Sequence, residues 1–214
     1  PFHLTGKRKE WAHFLKTIRV FLDNKGYTEV TTPHMVKAGA FESTIDTLKV
    51  SFSQGTQELH SSPEIEMKKV LAELNQPIYQ ICKCFRDDPQ TPFHAIEFSM
   101  LEFYLPKAEL KEIETDVVEL FSQLSTVPVT IKTDSVYLLI KSLTGINLEA
   151  CTDTNTLISE VKKKTDIHLG DDDSWSDIFF KIMIDVVEPS LQKEIIYLVN
   201  DFPSIVSQIG RAHV

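Results

Sequence analysis

Cysteine, phosphate-binding glycine motifs and positive charge are all scarce in this sequence. The three cysteines among 214 residues form no CxxC pair and no His/Cys cluster at zinc spacing, so no structural zinc site is predicted. Such an odd, sparse count is typical of a reducing cytosol. Lysine and arginine number 22 against 31 acidic residues, and the formal charge of -9 disfavours a generally basic nucleic-acid binder. The glycines form no phosphate-binding loop of either common type.

Long apolar runs are also missing. No run approaches 18 residues and no signal peptide is visible, so neither a membrane span nor secretion is predicted, and we expect a cytoplasmic location. A content of 42% hydrophobic and 25% charged residues is typical of a globular domain. Because the chain starts at Pro1 and stops at Val214 without a closing element, we expect it to be part of a longer polypeptide.

The predicted elements mix helices with hairpin-linked strands. Apolar spacing and end signals predict helices near 11–22, 62–74, 107–124, 135–143, 154–164 and 174–187. Strands are predicted near 27–33, 47–53, 58–60, 78–86, 98–104, 129–132 and 194–199, with 34–47 as a loop. This order favours an α+β fold, with an antiparallel sheet flanked by helices, over regular βαβ units.

A hairpin in the middle of the chain carries charges where strands usually bury apolar residues. Alternation places Arg86 on one face of the first strand, and Phe98, Glu102 and Tyr104 on one face of the second. If these faces match, the hairpin presents a guanidinium suited to phosphate, a ring that can stack on a base, and a carboxylate that can hold an ammonium. The pattern also fits a plain cross-strand ion pair between Arg86 and Glu102, with Phe98 in the core.

Several ordered motifs resemble a known family. The segment FRDD followed by HAIEFSMLEFY resembles the second signature motif of class II aminoacyl-tRNA synthetases in its lysine-specific form, and FLDNKGYTEVTTP resembles the first motif. The segments LHSSPEIEMKKVL and IYQICKCFR are similar to those of the elongation factor P–lysine lysyltransferases, a bacterial group of lysyl-tRNA synthetase paralogues without an anticodon-binding domain. The resemblance covers residues 7 to 124 and, more weakly, LVNDFPSIVSQI.

The resemblance implies an α+β catalytic domain that uses ATP to activate lysine or β-lysine as an adenylate. The group then transfers the acyl group to a lysine of elongation factor P. It further implies a homodimer, no membrane association, and no tRNA binding without an anticodon-binding domain. Residues 1–214 are expected to form a single catalytic domain that stops before the third signature motif. The magnesium ligands are expected beyond Val214, and the chain as it stands is expected to be inactive.

The same resemblance implies roles for individual residues. Arg86 matches the arginine that contacts the ATP α-phosphate, where charge grows as pyrophosphate leaves. The other implied ATP contacts are Asp87, Asp88, His94 and Phe98. The implied amino-acid contacts are Ser62, Pro63, Glu64, Glu102 and Tyr104.

Plainer roles remain open for most of these positions. Ser62 and Pro63 fit a helix cap, and Glu64 fits the positive end of a helix dipole. Loop residues such as His94 are commonly solvated, and aromatic residues such as Tyr104 are commonly core residues.

The nucleotide side departs from the family pattern. Asp88 stands where glutamate is usual, Thr91-Pro92 where Gly-Arg is usual, and Ala95-Ile96 where Asn-Pro is usual. A loop cation and an amide that would contact ATP are therefore lost, whereas the amine side is intact. Two alternatives to the lysyltransferase stay open: the catalytic core of a lysyl-tRNA synthetase, and a non-catalytic paralogue that binds an amino acid or a protein partner.

Overall fold

The computed structural model describes residues 7–40, 45–89, 91 and 94–206. These residues form two compact units, which meet in the sequence between Thr126 and Val127. Whether the two units make up one catalytic domain stays a prediction. No helix in the described residues is long and apolar enough to cross a membrane.

The described part of the first unit contains three α-helices and two small sheets. The helices are α1 (Arg8–Asn24), α2 (Glu64–Leu74) and α3 (Leu110–Leu124). Its strands are β1 (Thr28–Glu29), β2 (Met35–Val36), β3 (Lys49–Phe52), β4 (Gly55–Leu59), β5 (Ile78–Phe85) and β6 (Glu97–Tyr104). One sheet has the order β1-β5-β6, with β1 parallel to β5 and β6 antiparallel to it. The other sheet, β2-β4-β3, is antiparallel throughout.

The second unit is built around a parallel strand pair and a helical core. Its helices are α4 (Val136–Thr144), α5 (Thr154–Lys164) and α6 (Trp175–Ile182), and α6 continues as a π-helix over Met183–Val187 and a short α7 (Glu188–Ser190). The strands β7 (Thr130–Ser135) and β8 (Ile195–Asn200) pair in parallel. Buried side chains such as Ile140, Leu157 and Phe179 pack together between the helices.

The α+β class is confirmed, and most elements lie where the sequence predicts them. Four details differ. Residues 34–47 were predicted as a loop but contain β2, and β4 begins at Gly55, inside a predicted turn. Pro63 was predicted in the first helical turn, whereas α2 begins at Glu64. The sheets are also not purely antiparallel, since β1–β5 and β7–β8 pair in parallel.

The β5–β6 pair buries one face against helices α1 and α3. Its odd-numbered residues, Tyr79 and Ile81 with Leu101 and Phe103, join a cluster that includes Leu22. The other members of that cluster are Ile18, Phe21, Tyr27, Leu105, Leu120 and Leu124. Side chains alternate along a strand, so the even-numbered residues of both strands point away from these helices. The face of the hairpin that α1 and α3 leave uncovered therefore carries Gln80 and Glu102, together with apolar residues such as Met100.

A buried polar contact connects α3 to the turn after α1. The Tyr27 hydroxyl donates to Asp116 Oδ2 at 2.6 Å, and Lys25 Nζ lies 3.0 Å from Asp116 Oδ1. Burial, and then the hydrogen bond to Asp116, raise the pKa of Tyr27 well above its usual value, so this phenol stays a donor.

Replacing Tyr27 by phenylalanine is expected to lower the free energy of unfolding of the first unit by about 1–2 kcal/mol. The reason is that a buried carboxylate loses a hydrogen bond while its aromatic neighbour keeps its packing. Urea unfolding measures the effect. Tyr197→Phe in the second unit is the control, because it keeps the ring that Lys132 Nζ approaches at 5.9 Å. Equal losses of unfolding free energy in Tyr27→Phe and Tyr197→Phe would contradict a stabilising role for the hydrogen bond between Tyr27 and Asp116.

Candidate functional site

The register of the hairpin sets the geometry of the candidate site. Gln80 pairs with Glu102, Cys82 with Met100, and Cys84 with Phe98. Directly paired residues project to the same side of a sheet. Arg86 follows in the same alternation, and its N–H donates to the Ile96 carbonyl at 3.0 Å. Arg86, Phe98, Glu102 and Tyr104 therefore share the face that α1 and α3 leave free.

Glu102 is held in place by two hydroxyl groups. Ser62 Oγ donates to Glu102 Oε2 at 2.9 Å, and the Tyr104 hydroxyl donates to Glu102 Oε1 at 2.6 Å. Burial, and then Glu102 itself, raise the pKa of Tyr104, so the phenol remains a donor. Each carboxylate oxygen keeps a further lone pair for a ligand. The arrangement suits the capture of an ammonium group.

The Ser62-Pro63-Glu64 segment lies at the start of α2. The Glu64 N–H donates to Ser62 Oγ at 3.1 Å, so Ser62 serves the helix start and Glu102 together. Pro63 is buried. The Glu64 carboxylate forms an ion pair with Lys68 one turn later, and its charge also helps to raise the pKa of Tyr104. Glu64 thus lies within electrostatic reach of the Glu102 side of the site.

At the other end of the face, Arg86 stacks on an aromatic ring. Its guanidinium carbon lies 5.2 Å from the centre of the Phe98 ring. Its Nε is buried and has no hydrogen-bond partner among the described residues. A buried donor without an acceptor is costly, so an acceptor from a ligand would stabilise it. A guanidinium and a ring together can accept a phosphate and a planar base.

The plain ion pair between Arg86 and Glu102 is excluded by the register. Arg86 lies opposite Ile96, and Glu102 is six residues further along β6, which places the two Cα atoms roughly 20 Å apart. The alternative in which Phe98 is a core residue is also not supported, since Phe98 is only half-buried.

Two of the loop residues predicted to contact ATP, Asp87 and His94, have hydrogen-bond contacts with Asp46 and Thr91. Asp87 is exposed, and its N–H donates to the Asp46 carbonyl at 2.9 Å. Asp88 is half-buried. His94 is exposed, and its Nδ1 lies 2.8 Å from Thr91 Oγ1 in a local turn. Their roles toward ATP stay predictions. Thr91 belongs to the altered loop, and Pro92 lies outside the described residues.

A buried polar cluster on the same face was not recognised from the sequence. The Thr32 hydroxyl donates to Gln80 Oε1 at 3.0 Å, and His60 Nδ1 lies 3.8 Å from Cys84 Sγ. Gln80 and His60 are each 2% exposed. Gln80 Nε2 and His60 Nε2 have no partner among the described residues. Alternation along β5 could have assigned Gln80 to the site, whereas no local signal marks His60 or Thr32.

The described residues give no support for a metal site. Among the described residues, no group of three or more His, Cys, Asp or Glu side chains is arranged to hold a metal ion. The residues present therefore do not form a magnesium site, and magnesium stays a prediction for the activity as a whole.

The fold and the hairpin site together define a class. The family of class II tRNA synthetases (D, K and N) matches residues 9–207, and the chain belongs to this family. A protein of Aquifex aeolicus named elongation factor P–(R)-β-lysine ligase homolog is 28% identical over 180 residues, 82% of this chain and 60% of its own length.

Two further relatives are both named elongation factor P–(R)-β-lysine ligase. The protein from Edwardsiella ictaluri is 30% identical over 211 residues, 95% of this chain and 63% of its own length. The protein from Photobacterium profundum is 36% identical over 118 residues, 52% of this chain and 36% of its own length. The chain thus spans less than two thirds of the length of these relatives.

Proposed function

We propose that this chain is part of an ATP-dependent ligase. The enzyme activates lysine or β-lysine as an adenylate and transfers it to a lysine side chain of elongation factor P. The observation that carries the proposal is the shared face of β5 and β6. One end of this face holds Glu102 between two hydroxyl donors, and the other holds Arg86 over an aromatic ring. The family membership and the relatives' names support the same reaction.

The distance between the two ends favours a long amino acid. Cα atoms roughly 20 Å apart suit a ligand with an ammonium at one end and a carboxyl group joined to a phosphate at the other. The paired residues between them, Cys82 with Met100 and Cys84 with Phe98, offer a mostly apolar floor for a methylene chain. A short amino acid would not reach Glu102 while its carboxylate lay near Arg86.

Each residue of the site has a separate role in the proposed reaction. Glu102 neutralises the ammonium, and Ser62 and Tyr104 orient its carboxylate. Arg86 stabilises the negative charge that develops on the α-phosphate as pyrophosphate leaves. Phe98 supplies the face on which adenine stacks. The altered loop around Thr91 and Ala95 is the one feature that favours a non-catalytic, amino-acid-binding paralogue instead.

Binding and turnover distinguish these two functions. Calorimetry with lysine and β-lysine tests the amine site, and adenylate formation from ATP by the full-length protein tests catalysis. Both are expected. Lysine binding without adenylate formation would favour the non-catalytic alternative, and absence of lysine binding would refute the site assignment. A cytoplasmic location is part of the proposal.

Dimerisation is proposed through α1. Trp11 and Phe14 lie three residues apart on α1, are each 38% exposed, and stack with their ring centres 5.4 Å apart. An apolar surface of this kind is typical of a protein–protein contact. We expect light scattering to give the mass of a dimer at micromolar concentration, and Trp11→Glu to shift it toward the monomer. Phe52→Ser, at an exposed aromatic residue on β3, is the control. A monomeric wild-type protein would contradict the proposal.

A further inference from the structure

Two thiols lie side by side on the site face of β5. Cys82 Sγ and Cys84 Sγ are 3.8 Å apart, and His60 Nδ1 lies 3.8 Å from Cys84 Sγ. Cys82 is 8% exposed and Cys84 is fully buried. The remaining cysteine, Cys151, is buried in the second unit, where its Sγ contacts the Asn147 carbonyl at 3.4 Å. The chain therefore contains a dithiol and, as an internal reference, a single buried thiol.

We propose that Cys82 and Cys84 form an oxidation site at which a hydroperoxide converts the two thiols into an intrastrand disulfide. The proposed reaction assigns no chemical step to either thiol. The formation of this disulfide stands on the geometry of β5 alone and is independent of the proposed function.

The two sulfur atoms differ in their surroundings, and this difference assigns each of them a role in the oxidation. The hydrogen bond between the thiols lowers the pKa of Cys82 and raises the pKa of Cys84, where burial acts in the same direction. Cys82 is thus the sulfur that more readily becomes a thiolate, and it is also the more exposed. Burial, and then the neighbouring His34, lower the pKa of His60, which favours a neutral imidazole beside the Cys84 sulfur.

The reaction balances in two steps. The Cys82 thiolate attacks one peroxide oxygen, the O–O bond breaks, and the leaving oxygen takes a proton to give water or an alcohol. Cys82 is then a sulfenic acid. The Cys84 sulfur then attacks the Cys82 sulfur, the S–O bond breaks, and the Cys84 thiol gives up its proton. The departing hydroxide takes up the proton as water, so two thiols lose two electrons and the peroxide gains them.

The disulfide is expected to be strained and easily reduced. Residues two apart on a strand have Cα atoms about 6.6–6.8 Å apart, at the upper end of the range that a disulfide spans. Closing the bond must tighten the strand around Lys83, whose side chain pairs with Glu97 at 3.1 Å on the opposite face. Strained disulfides of this kind are the labile ones. The strand would therefore change shape between Gln80 and Arg86, within the candidate site.

Peroxide treatment followed by peptide mapping tests the site. The native chain is treated with hydrogen peroxide, unfolded, alkylated with N-ethylmaleimide and digested with trypsin. Because trypsin cuts after Lys83, the disulfide would join the peptide that ends at Lys83 to the peptide Cys84–Arg86. We expect two of the three thiols to be lost together, Cys151 to be alkylated, and the linkage to disappear on reduction.

Two variants separate this site from general thiol oxidation. Cys151→Ser is expected to form the same linkage. Cys84→Ser is expected to stop at a Cys82 sulfenic acid that dimedone traps. The proposal would be overturned if Cys82 and Cys84 were still alkylated after peroxide treatment, or if the Cys151 thiol were oxidised at the same rate. If Cys84→Ser does not fold, the peptide map of the wild-type chain alone decides between these outcomes. Weaker lysine binding by the oxidised chain is a further expectation, and that one rests on the proposed function.

Discussion

Replacing Glu102 by glutamine is expected to weaken the binding of lysine or β-lysine by about one to two orders of magnitude, which corresponds to roughly 1.5–3 kcal/mol. The substitution keeps the size of the side chain and removes the negative charge. A bound ammonium would then lie in a half-buried site without a counter-charge, which is unfavourable. The new amide would also place an NH₂ group against Ser62 or Tyr104, whose hydroxyls now donate to the carboxylate.

Calorimetry on the full-length protein measures this effect, and the chain offers a matched control. Glu97 is also on β6 but faces the opposite side, where it is exposed and pairs with Lys83. Glu97→Gln should leave lysine affinity unchanged. Ser62→Ala should lie between the two variants, because it removes one neutral donor and no charge. Unchanged affinity in Glu102→Gln would show that this carboxylate does not hold the ammonium.

The second large effect is expected for ATP. Arg86→Ala should lower ATP affinity by about one to two orders of magnitude, since a charged hydrogen bond to phosphate contributes roughly 1.5–3 kcal/mol. Arg86→Lys should recover only part of this loss. An ammonium keeps the positive charge but lacks the planar donor fork and stacks poorly on the Phe98 ring, which Arg86 approaches at 5.2 Å.

Arg19 provides the control for the loss of an arginine. It is half-exposed on α1 and pairs with Glu29, outside the site face, so Arg19→Ala should leave ATP binding unchanged. The wild-type affinity for ATP is itself expected to be lower than in a relative with Gly-Arg and Asn-Pro in the loop. Equal affinities would mean that other residues compensate for Thr91 and Ala95. If Arg86→Ala bound ATP as tightly as wild type, the nucleotide would have to lie elsewhere.

The shared face of the hairpin was predictable because side chains along a strand alternate between its two faces. Counting along β5 and β6 was enough to place Arg86, Phe98, Glu102 and Tyr104 on one face, which the register of the hairpin shows. The helices were predictable for a similar reason, since apolar spacing and end signals such as Gly26 are local. The two-residue strands β1 and β2 are set by pairing with distant strands, and so their bounds were not predictable.

The residues that surround the site, such as His60 and Thr32, could not be predicted from local sequence patterns. His60 contacts Cys84 from 24 positions away, and Thr32 contacts Gln80 from 48 positions away. Neither partner lies in an amphipathic segment that would mark it. The positions of His94 and Asp87 were also not predictable, because a loop has no periodicity from which a direction can be read.

The division of the β5–β6 hairpin into two unlike faces restricts how its gene can change in length. Inserting or deleting one codon within Ile78–Phe85 would exchange the faces of every residue beyond that point. Arg86 would then turn toward the apolar cluster around Leu22, and residues beyond the change that now pack there would turn to the site face. Codons can be gained or lost between Asp87 and Ile96 without moving either strand. Length variation among descendants of this gene should therefore collect in the loop, while the strands diverge by substitution alone.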